Sequence, residues 1–294
     1  SVADGLEKMP GTRWFEGSRL NFAENLLRFR DERPAIVFKG ETAAARTLTY
    51  AELYDEVARL ARSLRKAGIQ KGDRVAGFMP NMPETITAML ATTSIGAIWS
   101  SCSPDFGTKG VLDRFGQISP KVLFAANGYP YKGKKFDSIG RVTEMLPGLP
   151  SVERVVIVPY TEPSPAIDRV PNGVLYVDFL SKASDPGMDF EQLPFDHPVY
   201  IMYSSGTTGA PKCIVHGAGG TLVQHLKELV LHTDLRREDR IFYFTTCGWM
   251  MWNWLASSLA VGATVLLYDG SPFHPDPYAL FRFAEEQNMT VFGT

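Results

Sequence analysis

The residues best suited to chemistry lie in one string, Tyr203-Ser204-Ser205-Gly206-Thr207-Thr208-Gly209-Ala210-Pro211-Lys212. It holds two glycines, four serine or threonine hydroxyls, one lysine and no acidic residue. Glycine lets backbone N–H groups turn inward toward a bulky ligand. Hydroxyls donate to anionic oxygens, and Lys212 adds a compact positive charge. A loop of this make-up cradles phosphate. Apolar runs at 199–203 and 213–216 predict a strand on each side, so the loop joins strand to strand. A P-loop differs: its lysine follows the second glycine directly and opens a helix. Here Ala210 and Pro211 intervene. The phosphate-binding candidates are Ser204, Ser205, Gly206, Thr207, Thr208, Gly209 and Lys212.

A second unusual string is Cys247-Gly248-Trp249-Met250-Met251-Trp252-Asn253-Trp254. Tryptophan supplies a rigid wall and methionine fills irregular space. The bland reading is a buried helix start, since aromatic clusters usually belong to the core. Position argues for more. The predicted strand at 241–245 ends beside the phosphate loop, so Trp249, Met250, Met251, Trp252 and Asn253 are candidates for the wall of a small acyl pocket. Tyr131-Lys132-Gly133-Lys134-Lys135 puts three lysines around a glycine, either a solvated basic turn or a phosphate contact. His216 and His225 show no triad order and no metal-ligand spacing, and are read as structural.

The elements that must position these residues follow from periodicity. Residues 1–34 predict an irregular packing arm with aromatic anchors Trp14, Phe15 and Phe22. Residues 35–39 and 47–48 predict a hairpin. Thr49-Tyr50-Ala51-Glu52 matches a capping box, and Leu53, Val57, Leu60 and Leu64 follow at helical spacing. A strand at 74–79 comes next; Asn81 is expected to cap, and Pro83 to open, the following helix. Further strands at 97–100, 122–125 and 155–158 alternate with helices, which implies a parallel sheet. Residues 159–198 hold seven prolines and predict a long surface connection. A second α/β run follows, with strands at 241–245 and 264–268. The expected class is α/β, two stacked subdomains with largely parallel sheets and helices on their faces, divided as 1–34, 35–190 and 191–294. A ligand site at the carboxyl end of the strand reaching Tyr203 agrees with the rule for open α/β sheets.

Composition narrows the classes. The chain has 294 residues, 45% hydrophobic, with formal net charge −2. That is ample for a core and gives no pull toward nucleic acid or membrane surface. Cys102, Cys213 and Cys247 form no disulfide or ligand spacing, which fits a reducing, cytoplasmic setting. No Gly-x-Gly-x-x-Gly joins a strand to a helix, so a dinucleotide-dependent dehydrogenase is set aside. The chain stops just after a predicted strand at 290–294, and termini usually lie loose at the surface. A piece of a longer polypeptide is the expectation.

The string at 204–212, Ser-Ser-Gly-Thr-Thr-Gly-Ala-Pro-Lys, closely resembles the phosphate loop of the adenylate-forming superfamily of acyl-CoA synthetases, luciferases and peptide-synthetase adenylation domains. Gly248-Trp249-Met250-Met251-Trp252-Asn253-Trp254, with 14–25 (Trp-Phe-Glu-Gly-Ser-Arg-Leu-Asn-Phe-Ala-Glu-Asn), is similar to the acetoacetate-activating branch of those synthetases. Acetate-activating relatives share Gly-Trp but carry smaller residues where Met250 and Met251 stand. The resemblance runs along nearly the whole chain.

It implies an acid–thiol ligase. Such an enzyme takes acetoacetate, ATP and Mg²⁺ to an acyl-adenylate and pyrophosphate, and then lets the thiol of coenzyme A displace AMP. It implies that the loop holds the β- and γ-phosphates, with Thr208 near Mg²⁺. It also places the 3′-phosphate of CoA near Lys132, Lys134 and Lys135, where relatives carry arginines. The family's magnesium-binding glutamate, ribose aspartate, hinge and adenylating lysine are expected beyond Thr294, which would leave this stretch inactive alone. Two alternatives stay open: another short-chain acyl-CoA synthetase, and a non-catalytic nucleotide-binding fragment.

Overall fold

A computed structural model of the chain describes residues 1–42, 45–183, 187–204 and 209–294. The larger of its two main sheets has seven strands, in the order Gly173–Leu175, Arg154–Val158, Val122–Ala126, Arg74–Phe78, Ile98–Cys102, Pro198–Ser204 and Lys212–Gly217. Neighbours run parallel except the last pair, which is antiparallel. The smaller sheet has the order Val291–Gly293, Arg240–Tyr243, Thr264–Asp269, Pro34–Gly40 and Arg46–Thr49, antiparallel only in its final pair. The expected α/β class with largely parallel sheets is the observed one. Strands buried on both faces read as continuous apolar runs, as Val155-Val156-Ile157-Val158 does.

Strand pairing crosses the boundary expected at residue 190 in both directions. Pro34–Gly40 bonds to Thr264–Asp269, while Pro198–Ser204 joins Ile98–Cys102. A strand's apolar pattern sets its burial, and it does not choose the neighbour; crossover connections let strands distant in sequence pair. Residues 159–198 also do more than connect. They supply the edge strand Gly173–Leu175, a helical turn whose Tyr176 is buried, and Leu193–Pro194, which pairs with Arg19–Leu20 of the arm.

The core lies between the sheets. One apolar cluster unites Ile36 and Val265 of the small sheet, Val75 and Val156 of the large one, and Leu53, Val57, Leu60 and Leu64 of the helix Tyr50–Lys66. That helix starts at the predicted capping box: Thr49 Oγ1 accepts from Glu52 N, and a Glu52 carboxylate oxygen accepts from Thr49 N. Phe22 is the arm's buried anchor, whereas Trp14 is about half exposed, against expectation. Among the described residues, a two-residue strand at Arg13–Trp14 pairs only with Ala3–Asp4, which leaves the indole outside the core. No helix among the described residues is long and apolar enough to cross a membrane.

Asn81 corrects a second expectation. Pro83 does open the helix Pro83–Ser94, but Met82 is its N-cap and no side chain caps it. The Asn81 amide is turned to another task.

Candidate active site

Ser204 pairs with Lys212 across the antiparallel strands Pro198–Ser204 and Lys212–Gly217, at the carboxyl end of the first. Ser205, Gly206, Thr207 and Thr208 lie outside the described residues. Gly209 is exposed, with φ +106, and Lys212 is exposed at the start of its strand. Gln117 of the helix Thr108–Ile118 holds Pro211, its Nε2–H donating to Pro211 O at 2.9 Å. Below, Ser100 Oγ donates to Ile201 O and lies 3.0 Å from the Tyr203 hydroxyl. Burial holds that phenol well above its ordinary pKa, and so neutral.

The Trp/Met string forms the helix Met250–Ala256, with Trp249 as an exposed N-cap. Helical spacing sorts its side chains. Met250, Met251 and Trp254 line a cavity of about 1270 Å³ with Val215, His216 and Gln224. Trp252 and Asn253 turn the other way and are buried. Of the five candidates for an acyl-pocket wall, Met250 and Met251 line this cavity, and Trp249, Trp252 and Asn253 do not.

Trp252 Nε1–H donates to Asn81 Oδ1 at 2.9 Å, so its one donor is committed. The other end of the Asn81 amide donates to Thr245 O at 3.3 Å and to Tyr268 O at 3.4 Å. One buried side chain at the end of Arg74–Phe78 thus grips the ends of two small-sheet strands and the Trp252 ring. Cys247 is fixed alongside, its Sγ donating to Met79 O and its carbonyl accepting from Ser101 Oγ. Asn253 is less satisfied. Its Nδ2–H meets Met202 Sδ at 3.5 Å, and its Oδ1 has no partner among the described residues. Beside it lies a space of about 10 Å³, lined in part by Ser101, Met202 and Cys247.

Asn81 also borders a buried acid. Asp269 Oδ2 accepts from the Tyr160 hydroxyl at 3.0 Å. Burial pushes its carboxyl up to about 7, against the bonds from Tyr160 and the Asn81 main chain. Sequence reasoning missed Asn81, Glu41 and Asp269 as site-builders. Each stands within a few residues of a strand's carboxyl end, the one signal that could have singled them out.

The lysine string is a hairpin turn between Gly128–Tyr131 and Lys134–Asp137, with Lys132 and Gly133 both at positive φ. Lys132, Lys134 and Lys135 are exposed. His216 and His225 both border the large cavity. His225 Nδ1 lies 2.8 Å from Ser257 Oγ, and burial brings its pKa down to about 4; burial lowers that of His216 as well. Both rings are thus neutral near pH 7.

A family model described as AMP-binding enzyme matches residues 22–294. The chain is 56% identical to an acetoacetyl-coenzyme A synthetase of Rhizobium meliloti (strain 1021), covering 100% of this chain and 45% of that protein. It is 49% identical to an acetoacetyl-CoA synthetase of Rattus norvegicus, covering 100% of this chain and 44% of the relative. Among solved structures, an acetoacetyl-CoA synthetase from Streptomyces lividans matches with a TM-score of 0.94 at 45% identity, over 100% of this chain and 45% of the other. The chain thus spans somewhat under half the length of the relatives it matches.

Proposed function

The chain belongs to the AMP-binding enzyme family, and on that premise we propose that the protein activates acetoacetate with ATP and passes the acyl group to coenzyme A. The observation that carries this reading is the Trp/Met helix start, held by Asn81 beside the phosphate hairpin, in a chain 56% identical to an acetoacetyl-coenzyme A synthetase. Acetoacetate is a poor acyl donor because its carboxylate is anionic and lacks a leaving group. Attack of a carboxylate oxygen on the α-phosphorus forms the acyl-adenylate and releases pyrophosphate. The CoA thiol then adds to the acyl carbon and AMP leaves. Such catalysis is largely electrostatic, through donors and cations set where phosphate charge develops.

In this reading Ser204, Gly209 and Lys212, with Ser205, Gly206, Thr207 and Thr208, hold the β- and γ-phosphates. No group of three or more His, Cys, Asp or Glu among the described residues is placed to hold a metal. Mg²⁺ would enter with the ATP phosphates, with Thr208 as its candidate hydroxyl. Lys132, Lys134 and Lys135 meet the 3′-phosphate of CoA as point charges. Met250 and Met251 form the acyl wall. The Trp252 donor is taken by Asn81, and Asn253 turns away from the Met250 and Met251 face.

The test is acid-dependent ATP–pyrophosphate exchange by the full-length protein, with acetoacetate against butyrate, which has the same carbon count and no keto oxygen. A site that hydrogen-bonds a substrate group rejects analogues lacking it far better than a methylene difference of about 1–3 kcal/mol allows. Acetoacetate should be strongly preferred. Equal exchange with both acids in the wild type would make the protein a general short-chain synthetase.

A further inference from the structure

Glu41 follows the strand Pro34–Gly40, and its side chain is wholly buried. Among the described residues its one ionic neighbour is His274, with Nε2 3.8 Å from Oε1. Its oxygens accept instead from three main-chain N–H groups: Lys132 at 3.0 Å, Gly133 at 2.5 Å and Ser271 at 2.6 Å. Two belong to the lysine turn. The third follows Asp269 and Gly270 at the carboxyl end of Thr264–Asp269. One carboxylate therefore ties the hairpin tip to the small sheet, through charge-assisted bonds roughly twice as strong as neutral ones.

The seat has little slack. Gly270 has φ +136, and a Cβ there would stand 2.4 Å from Glu41 Cβ. Gly133 has φ +72, and a Cβ there would stand 3.1 Å from His274 Cε1. The lysine side chains, by contrast, are loosely held. Lys135 Nζ reaches Thr161 O only at 3.4 Å, and Lys132 Nζ lies 5.6 Å from the Tyr131 ring centre. Where the ammonium groups stand is thus set by the main chain of the turn, and so by Glu41. The two turn N–H groups, otherwise a nest for an anion, are already filled. An anion can meet this turn only from outside, through lysine point charges.

We infer that Glu41 is a positioning residue that fixes the Lys132–Lys135 turn to receive a terminal phosphate monoester, the 3′-phosphate of the thiol substrate; this rests on the reading of that turn given above. Glu41→Gln, which keeps one acceptor oxygen and replaces the other with an NH2 donor facing an N–H group, is the main variant. Hydrogen exchange reads the clasp directly. Amides of Lys132, Gly133 and Ser271 should exchange about tenfold faster or more, while those of Val122–Ala126 stay protected. In the full-length enzyme KM for CoA should rise about tenfold, with KM for ATP and for dephospho-CoA unchanged within about twofold. Glu41→Asp, one methylene shorter, should show the same pattern more weakly and serves if the Gln variant does not fold.

Unchanged exchange at the three amides would overturn the inference, as would equal changes for CoA and dephospho-CoA in either Glu41 variant. A variant with Lys132, Lys134 and Lys135 all changed to Ala separates the two ideas. If it affects both thiols alike, the phosphate reading of the turn fails. Faster exchange in Glu41→Gln would then leave Glu41 as a structural clasp only.

Discussion

Asn81→Ala should destabilise the fold more than any surface change, by an amount that can be worked from its contacts. The substitution removes one bond of 2.9 Å to Trp252 and two longer bonds of 3.3 and 3.4 Å to Thr245 O and Tyr268 O. It strands the Trp252 N–H at a site where Trp252 is fully buried. One buried group left without a partner costs about 1–3 kcal/mol. Adding a fraction for each long bond gives a loss of about 2–4 kcal/mol, a large part of the ~5–15 kcal/mol of a typical domain. Trp252→Phe removes the same bond from its other end. The two changes in one chain should therefore be less than additive, with a coupling of about 1–2 kcal/mol, within the range for residues in one network. Asn81→Asp is a sharper probe. A carboxylate can still accept from the indole but faces two carbonyl oxygens, so its penalty should shrink as the acid is protonated at low pH. Urea unfolding at constant m is the assay. A loss below about 0.5 kcal/mol, the level of ordinary surface positions, or a strictly additive cycle, would refute the reasoning.

Two further outcomes follow from the site. Lys212→Ala should sharply reduce acid-dependent ATP–pyrophosphate exchange with little change in stability, because Lys212 is exposed; wild-type exchange would remove it from the phosphate site. Asp269 has its folded pKa raised to about 7 from the ordinary 3.8, so between those values the folded state binds more protons and stability falls as pH rises. Asp269→Asn should flatten stability across pH 4–7 and exceed wild type above pH 7 by about 1–4 kcal/mol, read as urea midpoints against pH.

Much of this was local, and local features are legible in a sequence. The capping box at Thr49 and Glu52 needs only three-residue spacing, and it formed as expected. The candidate phosphate loop was visible as an ordered string of Gly, Ser, Thr and Lys, and its strand-to-strand setting followed from the apolar runs on each side. The β-branched run at 155–158 marked a buried strand because a parallel strand covered on both faces has no polar face to show.

What depends on which strand meets which was not legible. Asn81 reads as a helix cap from its neighbours in sequence, since Asn favours that place. Its amide is instead used by Thr245, Tyr268 and Trp252, between 164 and 187 residues away. Glu41 looks like any charged residue after a strand until the turn at Lys132 and the loop at Ser271 fold over it. The Trp/Met string announced a pocket wall, but only helix packing decided that Met250 and Met251 face the cavity while Trp252 is locked in the core. The physical reason is common to all three. Propensity and periodicity act over a few residues, whereas a buried polar group is fixed by whichever distant donors and acceptors the sheets bring within 3 Å or so, and burial obliges it to find them.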